Sequence, residues 1–371
     1  MLTVGVEEEF LLLEPDGAVA PVSAGVLGVT DGDDRVRHEY TAYQLETVSG
    51  VHTRLDRLHD ELADLRRIAA RAAELAGARL VAAGAPPFRR GPLETLTDDP
   101  RYRRLAERYP GATVAAAGTC GCHVHVGVAD RDLAVGVLGR LRPWLAPLLA
   151  LTANSPCADG ADSGFGSIRY EARRQWPTFR APEVWADARD YDRAIEALIS
   201  GGTALDIGGV HLLARLSGRY PTIEIRIADT CLSVNDTVLL AGIVRALVAT
   251  LIDDIRHGRV AETTPSAVEV EDDLAAAARH GLVVRGPAVL HRPPGRPPAA
   301  TAGHLRALLR KVTPALGESG DAVAVHSRLG WLRRHGTGAE RQRSLLRHDP
   351  RPDAFVAALA GRTVPHPGRN C

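Results

Sequence analysis

Acidic residues inside apolar, strand-like stretches are the clearest candidates for chemistry in this sequence. Glu7, Glu8 and Glu9 follow one another in the segment GVEEEF. Side chains alternate between the two faces of a strand, so Glu7 and Glu9 share a face while Glu8 points the other way. Two neighbouring carboxylates repel unless a cation holds them, and Mg²⁺ prefers carboxylate oxygen. The pair indicates a magnesium site, with an exposed edge strand and a solvated acidic face as the alternative.

A second acidic segment, HEYTAYQLE, begins near Glu39 and ends at Glu46. Leu45 and Val48 flank Glu46, which favours partial burial. A partly buried carboxylate needs a charge partner, because an isolated buried charge is costly. An ordinary salt-bridged surface acid is the competing interpretation. A strand could sort acids of this segment onto one face.

Two histidines alternate in the segment GCHVHVG. His123 and His125 fall on one face of a strand, between glycines that let backbone or ligand approach closely. The pair is compatible with a metal or phosphate site. His-x-His also opens metal-dependent amidohydrolases, where it lies near the chain start and needs later His and Asp ligands. Core histidines satisfied by hydrogen bonds are the third interpretation, and all three stay open here.

The segment PTIEIRIAD places Glu224 and Arg226 on one strand face, with three isoleucines on the other. A carboxylate and a guanidinium two residues apart could hold a metal ion and a phosphate together. A structural cross-strand ion pair is the alternative.

Arginines crowd the loop from Gly164 to Pro182, and two more precede the Glu224 strand. They are Arg169, Arg173, Arg174, Arg180, Arg215 and Arg219. Guanidinium groups match carboxylates and phosphates bidentately, so such a loop suits an anionic substrate. A solvated basic loop is the default interpretation for Arg173 and Arg174.

Strands and helices must bring these residues together. Alternation predicts strands over 3–13, 119–128 and 221–229, and helical spacing predicts helices over 51–78, 133–153, 235–256, 303–316 and 321–335. Asn235 or Asp236 is the expected N-cap of the helix over 235–256. A long functional loop is expected over 157–189, and a Pro-rich loop or linker over 284–302. The pattern is α+β.

Composition points to small-molecule partners. Acidic and basic residues balance at 45 each, so no general attraction to nucleic acid or anionic membrane is expected. No apolar run is expected to cross a bilayer. Five cysteines and the absence of a signal-peptide pattern fit a cytoplasmic protein. Lys311 is the only lysine, and it lacks the context of a Walker-type phosphate loop, so arginine, histidine and metal must meet any nucleotide phosphates.

Several motifs, in a fixed order along nearly the whole chain, resemble one family. They are GVEEEF, QLET, CGCHVHVGV, LTANSP, SIRY, PTIEIRIAD with LSVNDTVLLAG, and GTGAERQR. This set is similar to the carboxylate–amine ligases, also called type 2 glutamate–cysteine ligases. The resemblance implies one ligase domain over residues 1–371. It also implies a glutamine synthetase-like antiparallel sheet with helices on its outer face.

The resemblance also implies roles for individual residues. The metal ligands or their close supports would be Glu7, Glu9, Glu46, His123 and Glu224. Arg226 would contact the transferring phosphoryl group and act with Glu224 in catalysis. Arg169 would contact the nucleotide or a substrate carboxylate. His125 and Arg215 complete the expected cofactor-binding set.

The reaction implied by the resemblance is ATP- and Mg²⁺-dependent. A carboxylate, expected to be glutamate, is activated as an acyl phosphate and joined to cysteine or a related amine. The implied partners are therefore an amino acid and an amine, and a homodimer is compatible with the resemblance. The stretch HLLARLSGRY departs from the family pattern where the acceptor would be chosen.

Two other functions compete with ligation. A metal-dependent amidohydrolase built on the His-x-His strand would act without ATP and hold a transition metal tightly. A binding module on a ligase fold would have no need for several mutually repelling carboxylates. Phosphate release from ATP that requires both acid and amine separates ligation from both.

Overall fold

The computed structural model describes residues 1–30, 32–260, 265–282 and 301–364, with the side chains of residues 301 and 302 excepted. Strands within these residues are β1 (Val4–Leu13), β2 (Val36–His38), β3 (Gln44–Val48), β4 (Arg79–Val81), β5 (Gly121–Gly127), β6 (Cys157–Ala158), β7 (Ala161–Asp162), β8 (Ala214–Leu216) and β9 (Thr222–Asp229). The three strands predicted from alternation correspond to β1, β5 and β9.

Seven strands form one sheet in the order β2-β3-β1-β5-β9-β8, with β4 paired to the C-terminal end of β1. Each pair in this sheet is antiparallel. Strand β1 lies between β3 and β5, so it is a central strand. The edge-strand alternative for the three consecutive acids is therefore wrong.

Helices account for most of the remaining described chain. They are α1 (Ser23–Val29), α2 (Leu55–Leu75), α3 (Pro100–Arg108), α4 (Pro110–Ala115), α5 (Arg131–Leu141), α6 (Leu145–Thr152), α7 (Ile168–Arg173), α8 (Ala188–Ser200), α9 (Val234–Arg256), α10 (Ala267–His280), α11 (Thr301–Glu318), α12 (Ala322–His335), α13 (Gly338–His348) and α14 (Pro352–Thr363). Short 3₁₀ turns occupy Arg142–Trp144 and Ile207–Gly209.

One face of the sheet is apolar and covered by helices. Its buried side chains include Val4, Val6, Val124, Val126, Ile223, Ile225 and Ile227. They join one hydrophobic core with residues of α2, α6 and α9. Helix α2 meets this core because its leucines recur every three or four residues on one side. The expected α+β fold, an antiparallel sheet with helices on its outer face, is confirmed.

The stretch Arg131–Thr152 corrects the expectation that no apolar segment could cross a membrane. By length and composition it is long enough, although 67% of its most apolar window is buried inside the protein. The 3₁₀ turn around Pro143 divides it into α5 and α6. Its burial is that of a core segment.

The C-terminal region contains more helix than the sequence indicates. Two helices were expected there, and α11 and α12 correspond to them, but α13 and α14 follow. Helix α13 begins with a capping box in which the Thr337 and Glu340 side chains satisfy each other's backbone N–H groups. The expected Pro-rich loop lies, up to residue 300, outside the described residues.

Two local predictions need correction. The N-cap of α9 is Ser233, not Asn235 or Asp236. Asp236 lies in the first turn of the helix and pairs with Arg328 at 2.8 Å and Arg341 at 2.5 Å. The expected long loop over 157–189 contains β6, β7, α7 and the start of α8.

Candidate active site

The inner face of the sheet collects the predicted acids and histidines because of its strand register. Glu9 on β1 lies opposite Glu46 on β3. On the other side of β1, Glu7 lies opposite His123 on β5. One strand further, His125 lies opposite Glu224 on β9. The alternation predicted for β1 and β9 is confirmed, because the apolar partners of these residues face the outer core.

A cavity of about 410 Å³ opens above this face. Its floor carries all the predicted metal ligands, together with His125, Arg215 and Arg226. Its walls add Glu39, Tyr40, Arg101, Tyr102, Leu105, Ala116, Arg173, Trp176, His211, Arg219 and Tyr220. The cavity is large enough for a small molecule and combines acidic, basic and aromatic surfaces.

Glu7 is common to two sets of candidate metal ligands. One set is Glu7, Glu46 and His123, and the other is Glu7, His125 and Glu224; within each set the ligand atoms lie within 4.8 Å of one another. His123 Nδ1 is 3.2 Å from Glu7 Oε2, and His125 Nε2 is 3.4 Å from Glu7 Oε1. Carboxylate oxygens dominate both sets, which suits a hard divalent cation.

His125 is prepared to bind a metal ion. Its Nδ1 lies 2.9 Å from the hydroxyl oxygen of Thr222. A proton on Nδ1, donated to Thr222, leaves the Nε2 lone pair free. That Nε2 is buried and has no hydrogen-bond partner among the described residues. The sequence placed His125 with the cofactor-binding residues, whereas the geometry also makes it a candidate metal ligand.

Two carboxylates of the floor, Glu46 and Glu7, respond in opposite ways to their surroundings. Burial, followed by the charges of Glu7, Glu39 and Glu9, raises the pKa of Glu46 well above its ordinary value. Burial alone would also raise the pKa of Glu7, but its contacts with His123 and His125 lower this pKa further than burial raises it. A divalent cation between these groups would relieve the repulsion, so the residues present fit such an ion.

Glu224 is held ionised by two arginines. Burial would raise its pKa, but Arg226 and then Arg215 lower it below the ordinary glutamate value. Arg226 forms an ion pair with Oε1, and Arg215 Nε donates to Oε2 at 2.7 Å. Arg226 also lies 3.5 Å from His123 Nδ1. A guanidinium is therefore fixed beside both candidate ligand sets.

Glu9 contacts the backbone more closely than it contacts the histidines. Its Oε2 accepts a hydrogen bond of 2.6 Å from the N–H of Gly121. Its Oε1 is 3.7 Å from His123 Nε2. Oε2 of Glu9 is therefore bound to the backbone, while Oε1 faces the floor of the cavity.

Arg169 is not brought into the cavity with the other predicted residues. Its guanidinium is buried and donates to the carbonyl oxygens of Ile227 at 3.1 Å and Arg226 at 3.3 Å. It also lies 3.7 Å from Asp229. A Cβ at Gly121 would come within 2.3 Å of it, so this glycine leaves the space that Arg169 fills. These contacts place Arg169 against β9 and outside the residues that line the cavity, and its expected contact with the nucleotide or a substrate carboxylate stays a prediction.

Sequence reasoning missed two basic residues of the cavity wall, Arg101 and Arg173. Arg173, expected in a solvated loop, lines the cavity with Trp176 and His211. Arg174 fits the expectation, because it is exposed and pairs with Glu171. The Arg173 position follows from helix α7, whose end turns toward the cavity. The signal missed in the sequence was the aromatic cluster that begins three residues after Arg173.

A sheet of carboxylates, histidines and arginine beneath a small-molecule cavity suits the class of enzymes that the motifs indicate, the ATP-dependent carboxylate–amine ligases. Residues 3–358 match the family described as Glutamate-cysteine ligase family 2. The chain belongs to this family, as the motifs in the sequence indicate.

Curated relatives agree with the family assignment. The chain is 43% identical over 373 residues to a protein of Salinispora tropica that is provisionally named glutamate–cysteine ligase 2, covering 99% of this chain and 96% of the relative. It is 42% identical over 385 residues to a similarly named protein of Frankia alni, covering 98% of this chain and 97% of the relative. Both relatives match along essentially their whole length.

Solved structures confirm the fold at low sequence identity. A bifunctional glutathione synthetase from Pasteurella multocida superposes with a TM-score of 0.69 at 15% identity, covering 97% of this chain and 52% of that one. This chain thus spans about half of that enzyme. A glutamate–cysteine ligase from Francisella tularensis, solved with AMP, gives a TM-score of 0.63 at 15% identity, covering 97% and 88%.

Proposed function

We propose that this ligase uses Mg-ATP to convert a substrate carboxylate into an acyl phosphate and joins it to an amine. Glutamate is the proposed donor, and cysteine or a related amine is the proposed acceptor. The observation that carries the proposal is the position of Glu7, shared by two candidate ligand sets beside Arg226. The names of the curated relatives support the same pair of substrates.

The proposed roles follow the contacts of the floor. Glu7, Glu9, Glu46, His123 and Glu224 would hold magnesium, with His125 as a further ligand. Magnesium bound there would offset negative charge on the phosphate oxygens. Arg226 would neutralise charge that develops on the phosphoryl group during transfer, because Glu224 fixes its guanidinium beside the ligand sets. Arg215 would hold Glu224 from the opposite side.

No covalent enzyme nucleophile is needed in this scheme. The donor carboxylate oxygen forms a bond to the γ-phosphorus of ATP while the bond to the bridging oxygen breaks and ADP leaves. The amine then attacks the carbonyl carbon, phosphate leaves, and the amine loses a proton. The crowded cavity would keep water from the acyl phosphate. Residues of the chain therefore act by binding, orientation and charge.

The amidohydrolase alternative is disfavoured by the family assignment. Other features stay predictions: a single domain over residues 1–371, a cytoplasmic location, a homodimer, and no binding to nucleic acid or membrane. Small-molecule substrates are what the ligase family requires.

The experiment that tests the proposal is phosphate release from ATP with Mg²⁺ across a panel of amino acids and amines, with products identified by mass. The expected result is release that requires both glutamate and an amine and yields an amide. Amide hydrolysis without ATP, or phosphate release independent of both substrates, would contradict the proposal.

A further inference from the structure

Arg173 differs from the other arginines that line the buried part of the cavity. Three of these pair with carboxylates: Arg101 with Asp206, and both Arg215 and Arg226 with Glu224. Within the part of the chain that the structure describes, Arg173 forms no ion pair with any carboxylate. Burial, and next the charge of Arg169, lower the pKa of Arg173 to about 10. Arg173 is therefore still a cation at neutral pH.

The hydrogen bonds of Arg173 are few and long. Nη1 donates to Thr119 Oγ1 at 3.4 Å, and Nη2 donates to His211 Nδ1 at 3.3 Å. Nε is buried and has no partner among the described residues. Glu9 and Glu39 act on its charge only without a direct ion pair. A half-buried cation whose hydrogen-bond partners are neutral is costly unless an anion joins it. The site is thus built for a negatively charged group.

Two neutral donors complete this part of the wall. Because Arg173 donates to Nδ1 of His211, the ring proton of His211 belongs on Nε2. Burial and the charge of Arg173 lower the pKa of His211 well below its ordinary value, so the ring is neutral. His211 Nε2 and Trp176 Nε1 are both buried and lack partners in the described chain. Their rings lie 4.6 Å apart, and both residues line the cavity.

We propose that Arg173, His211 and Trp176 form a binding subsite for a substrate carboxylate that is not itself activated. This inference rests on the proposed function, because it concerns the same cavity. One guanidinium and two neutral N–H donors suit a singly charged carboxylate. Phosphate oxygens have other partners, since Arg215 and Arg226 lie on the floor beside the candidate metal ligands.

Two substrates could supply this carboxylate: the α-carboxylate of the donor amino acid, or the carboxylate of an amino-acid acceptor. Paired substrates distinguish them. Glutamate and γ-aminobutyrate differ by the donor α-carboxylate, and cysteine and cysteamine differ by the acceptor carboxylate. The ratio of kcat/KM within each pair measures how strongly the enzyme uses that group.

The decisive variant is Arg173→Gln. One of the two ratios should fall at least about 30-fold, because a buried charge pair loses one partner. The pair affected identifies the source of the carboxylate. Trp176→Phe, which removes only one N–H donor, should lower the same ratio by about fivefold. The KM for ATP should stay unchanged in both variants.

Arg174→Gln is the matched control, since Arg174 is the exposed neighbour of Arg173 and pairs with Glu171. Both of its ratios should equal those of the wild type. The inference is overturned if Arg173→Gln keeps both ratios within twofold, or if the KM for ATP alone rises. If Arg173→Gln fails to fold, Arg173→Lys and Trp176→Phe decide by the same ratios.

Failure of the proposed function looks different. In that case the wild type releases no phosphate with any acid and amine. Calorimetric binding of glutamate and cysteine to wild type and Arg173→Gln then tests the subsite without turnover. Equal affinities of both proteins for both amino acids would overturn the subsite.

Discussion

Neighbouring carboxylates on the two faces of β1 have opposite surroundings. Glu8 on the outer face is fully buried and held by Arg66, whose Nε and Nη2 donate at 3.0 and 2.5 Å. The Thr237 hydroxyl adds a third hydrogen bond of 2.6 Å. Glu7 on the inner face instead faces two histidines and lies among further carboxylates.

The difference separates a structural charge from a functional one. Arg66 also donates to the carbonyl oxygens of Cys231 at 2.8 Å and Thr363 at 3.0 Å, so it ties β1 to distant parts of the chain. The negative charge of Glu8 is therefore neutralised within the protein by Arg66. The carboxylates around Glu7 would be offset further by an added cation, as the proposed magnesium site requires.

The largest effect is expected from Glu7→Gln, which removes a ligand from both candidate sets. We expect kcat to fall at least about 10³-fold, because the charge stabilisation of the transferring phosphoryl group is lost. Glutamate- and amine-dependent phosphate release from ATP measures the change. Glu224→Gln should have a similar effect. Substantial retained turnover in either variant would reject the assigned site.

Glu8→Gln should act on stability rather than on chemistry. It leaves Arg66 buried without its counter-charge, which should lower the free energy of unfolding by about 3 kcal/mol. Urea unfolding measures this loss, and activity per folded molecule should remain within a few-fold of the wild type. If Glu8→Gln lost turnover while its stability was unchanged, Glu8 would have a functional role, contrary to this account.

Glu46→Gln should stabilise the metal-free protein. Burial and neighbouring carboxylates raise the pKa of Glu46, so at neutral pH the folded state is strained by its charge or must bind a proton. A neutral amide removes this cost, and a gain of about 1 kcal/mol is expected. Urea unfolding with EDTA tests it, and a loss of stability would show that the crowding is already offset.

The smallest effect is a pH dependence through Glu39. Burial, and next the charge of Glu9, raise its pKa to about 7. A raised carboxyl pKa means that the folded state binds more protons, so this contribution weakens stability as pH rises from the unfolded value toward 7. Solvent screening reduces it, because Glu39 is only partly buried.

Urea midpoints in EDTA at pH 5.5 and pH 8 should therefore differ less for Glu39→Gln than for the wild type. The comparison of the two proteins removes contributions from other titrating groups. Equal differences in both would show that Glu39 does not titrate as its surroundings indicate.

The strand pattern made much of the inner face predictable. Alternation alone sorted Glu7 and Glu9 away from Glu8, and Glu224 away from its isoleucines, because a strand has a fixed period of two. The pairing of Glu9 with Glu46, and of Glu7 with His123, depends on strand order and register. Those follow from long-range contacts that a local pattern does not contain.

Other positions could not be read from the sequence, for similar reasons. Arg169 and Arg173 belong to one short helix, yet one supports β9 and the other lines the cavity. The sequence of a short segment of mixed composition does not show which of its arginine side chains will line a cavity. Helices α13 and α14, which follow His335, were not predicted from the sequence.

The number of metal ions bound per chain is the most direct test of the central claim. Mn²⁺ can replace Mg²⁺ as a spectroscopic probe, and an EPR titration with a non-hydrolysable ATP analogue counts the bound ions. We predict at least two tight sites in the wild type and in Glu8→Gln, and loss of both in Glu7→Gln. Unaltered Mn²⁺ binding in Glu7→Gln would contradict the account.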